Sequence, residues 1–166
     1  MVELDARGLG YFTEFEKVTH VMPSDFLETA NTLIFLVDLV SLGRAIGRKG
    51  ANVKRLSEIL RKKVVVIGDS EDPEIFVRNY FNNVGIASIE VANVMGENNI
   101  VLTVDETDRG IAIGKDGERI KAAKEFLKKK FKATIVLRTR RPSIGSGGVE
   151  RRENEGMNLG EAAVGV

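Results

Sequence analysis

Cysteine is absent from this chain, and histidine occurs once, at His20. Disulfides and thiolate metal sites are therefore excluded, and a lone imidazole cannot build a ligand cluster, so neither a metal nor a cofactor is expected. Long apolar runs are absent too. The longest strongly apolar stretch is Leu33–Val37, whereas a membrane-spanning helix needs about 20 such residues. The N-terminus, Met-Val-Glu-Leu-Asp, carries no basic region of the kind that opens an export signal. The expectation is a cytoplasmic protein with no membrane partner. Aromatic residues make up only 6% of the chain, and the phenylalanines fall mostly at helical core spacing, which leaves few rings for stacking on bases.

A net charge is also nearly missing, at +1, but the charges are unevenly distributed. Residues 41–63 hold eight Lys/Arg against one acidic residue, and residues 109–132 hold nine against three. The two segments thus carry +7 and +6, and the remainder of the chain carries −12. Segregation of this kind points to a polyanionic partner, because binding depends on the local field and not on the overall balance.

The two basic segments are copies of one module. Ala45-Ile46-Gly47-Arg48-Lys49-Gly50 recurs 67 positions later as Ala112-Ile113-Gly114-Lys115-Asp116-Gly117. A gapless alignment of residues 41–63 with 108–130 gives ten identities in 23 positions, from Gly43/Gly110 through Lys54/Lys121 and Glu58/Glu125 to Lys62/Lys129 and Lys63/Lys130. A single Gly-x-x-Gly is weak evidence, but a repeat of this extent makes the chain two related units.

The surrounding pattern repeats as well. Phe12, Phe15 and Val18 predict a helix over 9–19; strands are expected at 21–27 and 32–38, and a helical turn over 43–46 leads into the first glycine loop. Val53, Leu56 and Leu60 then share one face of a helix, and Val64–Ile67 reads as a buried strand. In the second half Asp72-Pro73 starts a helix with Ile75, Phe76 and Tyr80 turned inward. Strands are expected at 86–95 and 99–105 around the turn Gly96–Asn98. A short helix over 109–113 and the second loop follow. A longer helix with Ile120, Ala123, Leu127 and Phe131 on its core face then leads to a strand at 134–138. Each half runs α, β, β, α, Gly-x-x-Gly, α, β. The fold class is α+β, with domains at 1–70 and 71–139 and a flexible tail at 140–166. Arg140, Arg141, Arg151 and Arg152 give that tail the composition of a basic arm.

A Gly-x-x-Gly loop between two helices, with strands on either side, resembles the KH domain, whose loop clamps about four nucleotides of single-stranded nucleic acid. With its extra helix and strand ahead of the core in both halves, the arrangement resembles the type II, prokaryotic form. Two abutting type II units with this first loop resemble the NusA family of transcription factors in its short archaeal form, over roughly residues 10–139. The resemblance implies a binding protein for single-stranded RNA acting in transcription termination or antitermination, monomeric, with RNA polymerase as a candidate partner. The bacterial members carry polymerase-binding and S1 domains ahead of their KH pair, for which this chain has no room.

Two glycines open backbone conformations closed to other residues and remove side chains that would hold a phosphate away. Amide groups at the start of the following helix then face the anion. The residues expected to bind RNA are Ile46, Gly47, Arg48, Lys49, Gly50 and Lys54 in the first unit. Their counterparts in the second are Ile113, Gly114, Lys115, Asp116, Gly117, Arg119 and Lys121. Ile46 and Ile113 are candidate floors for the bases, with Val53, Ile120, Leu33–Val37 and Val101–Val104 as further groove lining. Asp116 stands where the first loop has Lys49, so the second loop is locally neutral.

Other readings stay open. Ribosome assembly or translation would use the same chemistry as transcription, and a KH pair can serve as a protein scaffold. Gly110–Asp116 has the look of a nucleotide-binding loop, but it is one residue short between its glycines and lacks the Ser/Thr after the lysine that would hold Mg²⁺. No carboxylate pair is distinguished by spacing, so no catalytic residue is assigned and no enzyme is expected.

Overall fold

The computed structural model describes residues 5–141, and the chain divides into two compact units between Glu71 and Asp72. Of the tail expected over 140–166, all but Arg140 and Arg141 lies outside the described residues.

The first unit opens with α1 (Ala6–Thr19), whose start is fixed by the Asp5 carboxylate accepting from the Gly8 amide at 2.7 Å. His20 ends it in the left-handed conformation, with its amide donating to the Glu16 carbonyl. The strands β1 (Asp25–Glu28) and β2 (Thr32–Val37) pair antiparallel. The chain then crosses over through α2 (Leu42–Ile46), the first glycine loop and α3 (Ala51–Leu60) to β3 (Lys63–Gly68), which lies parallel to β2. A parallel pair requires such a crossover, and the loop is placed in the middle of it. The first strand starts later than its composition predicts: Pro23 has no amide to donate, the Ser24 amide donates to the Leu36 carbonyl at 2.8 Å, and paired residues run from Asp25.

The second unit repeats this order. Pro73 occupies the first turn of α4 (Pro73–Tyr80), and the Asp72 carboxylate accepts from the amides of Glu74 and Ile75. The antiparallel strands β4 (Ile86–Val94) and β5 (Glu97–Asp105) are followed by α5 (Arg109–Ile113), the second loop, α6 (Glu118–Phe131) and β6 (Ala133–Arg140), parallel to β5. The β4–β5 connection is tighter than the sequence suggests. Met95 and Gly96 both adopt positive φ, at 54° and 85°, the two-residue geometry that matches strand twist. Glu97 and Asn98 therefore belong to β5 and not to the turn.

Each core lies between its sheet and its helices. In the first unit Phe15 of α1 stacks on Phe35 of β2, with ring centroids 4.3 Å apart. Leu33, Val37, Leu42, Ala45, Leu56 and Val64 close around them. Burial of one such ring is worth about 1.5–3 kcal/mol. In the second unit Phe76, Tyr80, Phe81 and Phe126 form a mutually packed aromatic group. Ile75, expected inside, is 46% exposed, because the buried stripe of α4 passes through Phe76, Val77 and Tyr80. On α6 the buried residues are Ala122, Ala123, Phe126 and Leu127, while Ile120 and Phe131 are half-buried.

The repeat is not uniform. α6 has 14 residues against 10 in α3. Lys63 is consequently the first residue of β3, whereas Lys130 is still helical. The identities Lys62/Lys129 and Lys63/Lys130 are therefore not structural equivalents. The true counterparts at the helix ends are Arg61 and Lys132, both left-handed caps.

Candidate nucleic-acid interface

The two glycine loops adopt nearly the same backbone. Gly47 has φ 80°, ψ 168° and Gly114 has φ 79°, ψ 172°, a region open essentially to glycine alone. Space demands glycine there as well: a Cβ would lie 2.9 Å from the Asn52 side chain at Gly47 and 2.6 Å from the Arg119 Cβ at Gly114. The next turn is 3₁₀: the Gly50 and Gly117 amides donate to the Gly47 and Gly114 carbonyls, at 3.1 Å in both, and the Ala51 and Glu118 amides donate to the Arg48 and Lys115 carbonyls. Lys49 and Asp116 are left-handed at φ 55°, and Gly50 and Gly117 follow at φ 72° and 74°. These last glycines are the N-caps of α3 and α6, and neither helix receives a side-chain cap. With no capping side chain, the first-turn amides after Ala51 and Glu118 are left available to an anion.

Behind each loop a side chain from the following helix ties back to the preceding one. Asn52 Nδ2 donates to the Arg44 carbonyl at 3.0 Å, and Arg119 Nη1 donates to the Ile111 carbonyl at 3.1 Å. Residues 52 and 119 occupy the same position of the repeat, as do 44 and 111, so two different side chains make one brace. Arg119 goes further. Its Nη2 donates to the Tyr80 carbonyl at 3.1 Å and to Asn83 Oδ1 at 2.6 Å, and its guanidinium lies 5.3 Å over the Phe81 ring. The Tyr80 hydroxyl donates in turn to the Arg119 carbonyl at 2.8 Å. Burial lowers the pKa of this guanidinium, with Tyr80 opposing the shift, and pushes the Tyr80 phenol well above its ordinary value. Arg119, expected from the sequence to meet RNA, is instead committed to internal bonds because α4 and the residues just after it offer two carbonyl-type acceptors and a ring.

A KH-domain family profile matches residues 13–94 and, a second time, residues 71–141. The chain is 33% identical over 134 residues to the probable transcription termination protein NusA of Halococcus morrhuae, covering 78% of this chain and 93% of that one. This chain belongs to the NusA family of KH-domain proteins. It comprises two tandem type II KH domains, each a three-stranded sheet packed by helices. Its likeness to the transcription termination/antitermination protein NusA of Thermus thermophilus is 32% over 86 residues, which is 51% of this chain but only 22% of that longer protein. The crystal structure of APE1850 matches with a TM-score of 0.66 and 37% identity, over 82% of this chain and 100% of that one.

The charges on the two KH loops are exposed. Arg48, Lys49, Lys115 and Asp116 lie at the surface, as do Lys54 and Lys121 one turn into the helices. None of these six joins an ion pair among the described residues. The apolar candidates divide differently. Ile46 is 7% exposed and belongs to the first core, as do alternate residues of Leu33–Val37. Packing therefore removes them from a base-facing role. Ile113, Val53 and Ile120 are half-buried beside the loops, and in β5 Val101 and Thr103 alternate with the buried Leu102 and Val104. Of the basic tail residues, Arg140 is part of β6 and pairs with Asp105 at 3.7 Å, and Arg141 pairs with Glu106 at 3.5 Å. Arg151 and Arg152 lie outside the described residues. Sequence reasoning missed Asn52, Tyr80 and Asn83 as loop supports, since the brace is made by unlike residues that an identity match passes over.

Proposed function

We propose that this chain binds single-stranded RNA through its two Gly-x-x-Gly loops and acts as a cytoplasmic transcription termination or antitermination factor. The observation that carries the reading is the near-identity of the two loop backbones, each presenting an uncapped helix start beside exposed basic residues. The phosphate-facing set is Gly47, Arg48, Lys49, Gly50 and Lys54 in the first domain and Gly114, Lys115, Gly117 and Lys121 in the second. Asp116 tunes the second loop, and Arg119 braces it. Val53, Ile113 and Ile120 supply aliphatic contact for bases. The protein works by binding, as a monomer with no catalytic residue, cofactor or metal, and RNA polymerase is its candidate protein partner.

The names of its relatives favour transcription over ribosome assembly or translation. Titration with labelled single-stranded RNA and with a duplex of equal length tests the binding mode. Binding is expected to favour the single strand, because a groove beside a KH loop admits splayed bases but not paired ones. Equal affinity for the duplex would overturn this reading. Crosslinking in cells, with sequencing of the bound RNA and identification of co-purified polymerase subunits, tests the transcriptional role.

A further inference from the structure

Helix α6 carries a basic stripe that the loops do not account for. Lys121, Lys124 and Lys128 are exposed, and Lys132, its left-handed cap, is exposed as well. At about 100° per residue the three helical lysines fall within a sector of roughly 60°, and from Lys121 to Lys132 the stripe runs about 16 Å along the axis. It begins at the loop: Lys121 Cε lies 3.6 Å from where a Cβ of Gly117 would stand.

These charges are uncompensated. None of the four lysines enters an ion pair among the described residues, and Glu125, one turn from both Lys121 and Lys128, joins neither. Like charges three or four positions apart destabilise a helix, and α6 contains two such pairs on the stripe, Lys121/Lys124 and Lys124/Lys128. The helix dipole explains a lysine at the C-terminal end but disfavours positive charge at the end of the first turn, where Lys121 stands, and does not favour it mid-helix at Lys124. The first domain keeps only part of this stripe, with exposed Lys54 and Arg61 at the repeat positions of Lys121 and Lys128. Ser57 occupies the position of Lys124 and accepts from the Val64 amide through its hydroxyl, and α3 stops one turn sooner.

We infer that the outer face of α6 is a second phosphate track, which holds the backbone of an RNA strand running on from the Gly114–Gly117 loop. Lys124, Lys128 and Lys132 extend the binding surface beyond the nucleotides clamped at the loop, and so offset the neutral charge that Asp116 gives it. The inference rests on the RNA-binding reading above.

The test compares two charge-matched double variants of the full chain, Lys124→Gln/Lys128→Gln on the stripe and Lys17→Gln/Arg78→Gln on α1 and α4. Each is titrated with random-sequence single-stranded RNA pools of about 5 and about 15 nucleotides at several salt concentrations, with circular dichroism to confirm folding. Glutamine keeps helix propensity close to that of lysine. The stripe variant is expected to lose about tenfold on the longer pool and little on the shorter, and its log–log salt slope to fall by about 1.4, at roughly 0.7 for each phosphate left unneutralised. The control stays within about twofold of wild type on both pools. Wild-type behaviour of the stripe variant on the longer pool would overturn the inference, as would equal losses on the two pools or in the two variants. Wild-type protein that binds neither pool would instead overturn the RNA-binding reading itself.

Discussion

Tyr80 and Arg119 hold each other by two hydrogen bonds that run in opposite directions, hydroxyl to carbonyl at 2.8 Å and guanidinium to carbonyl at 3.1 Å. This pair anchors α4 to the start of α6, and the same guanidinium reaches the Ile111 carbonyl behind the second loop. The loop geometry of the second domain thus depends on a side chain held by internal hydrogen bonds.

Arg119→Met should therefore destabilise the second domain by about 2–3 kcal/mol, because it leaves the Tyr80 and Ile111 carbonyls without their charged donor. Tyr80→Phe should cost about 1 kcal/mol, the ordinary net worth of one hydrogen bond. Amide hydrogen exchange measured residue by residue checks both. Protection should fall across α4–β6 and remain unchanged across α1–β3; an equal loss in both domains would contradict the assignment.

The first glycine of each loop should tolerate substitution less well than the last. Gly47→Ala forces a Cβ against Asn52 in a conformation that only glycine adopts, whereas a Cβ on Gly50 meets nothing within 4 Å. The expected cost is about 1–3 kcal/mol for Gly47→Ala and about 1 kcal/mol for Gly50→Ala, which meets only the left-handed penalty. Thermal melts of the two variants rank them, and a larger shift for Gly50→Ala would show that the steric reading is wrong.

Glu28 should give the first domain an acid-sensitive element. Its carboxylate accepts from Lys62 Nζ and from the Tyr11 hydroxyl, both at 2.9 Å, with Arg7 at 3.3 Å. The bond from Lys62 is the main cause of its lowered pKa. A depressed carboxylate contributes stability above its unfolded value of about 4.3 and loses it as pH falls through the folded value. At neutral pH wild type should exceed Glu28→Gln by about 0.5–1 kcal/mol, as befits a partly exposed cluster. That gap should close below the usual carboxylate range. Urea unfolding at neutral and acid pH measures it, and a gap that persists in acid would remove Glu28 as its source.

Periodicity and the repeat made the architecture legible because both are local. The crossover order, the loop positions and the short helices before them follow from where apolar residues and glycines fall. What the sequence concealed depends on packing between distant segments. The two-residue turn at Met95-Gly96 lacks the usual Asn-Gly signature, so strand pairing alone reveals it. Arg119 looked like a ligand-facing cation because its acceptors, Tyr80 and Asn83, lie 39 and 36 residues away. The identities Lys62/Lys129 and Lys63/Lys130 match by composition alone, because the extra turn of α6 takes them out of structural register.

The most sequence-specific prediction concerns the difference between the loops. Lys49 and Asp116 share one left-handed position, which suits aspartate better than lysine. Conformation and electrostatics therefore pull in opposite directions there. Replacing Arg48 and Lys49 together by Asp places repulsion at the start of α3 without disturbing the core, since both side chains are exposed. Binding of short single-stranded RNA should fall sharply, with the log–log salt slope reduced by about 0.7 for each phosphate that is no longer neutralised. Asp116→Lys should strengthen binding and steepen the slope, at a small cost in loop stability. Short oligonucleotides isolate the loops from the α6 stripe, so titrations at two salt concentrations on a pool of about 5 nucleotides give the decisive comparison. If the double-Asp variant binds like wild type while Lys115→Asp alone abolishes binding, the second loop is the principal site. The charge at Lys49 would then be incidental to a conformation that the backbone already dictates.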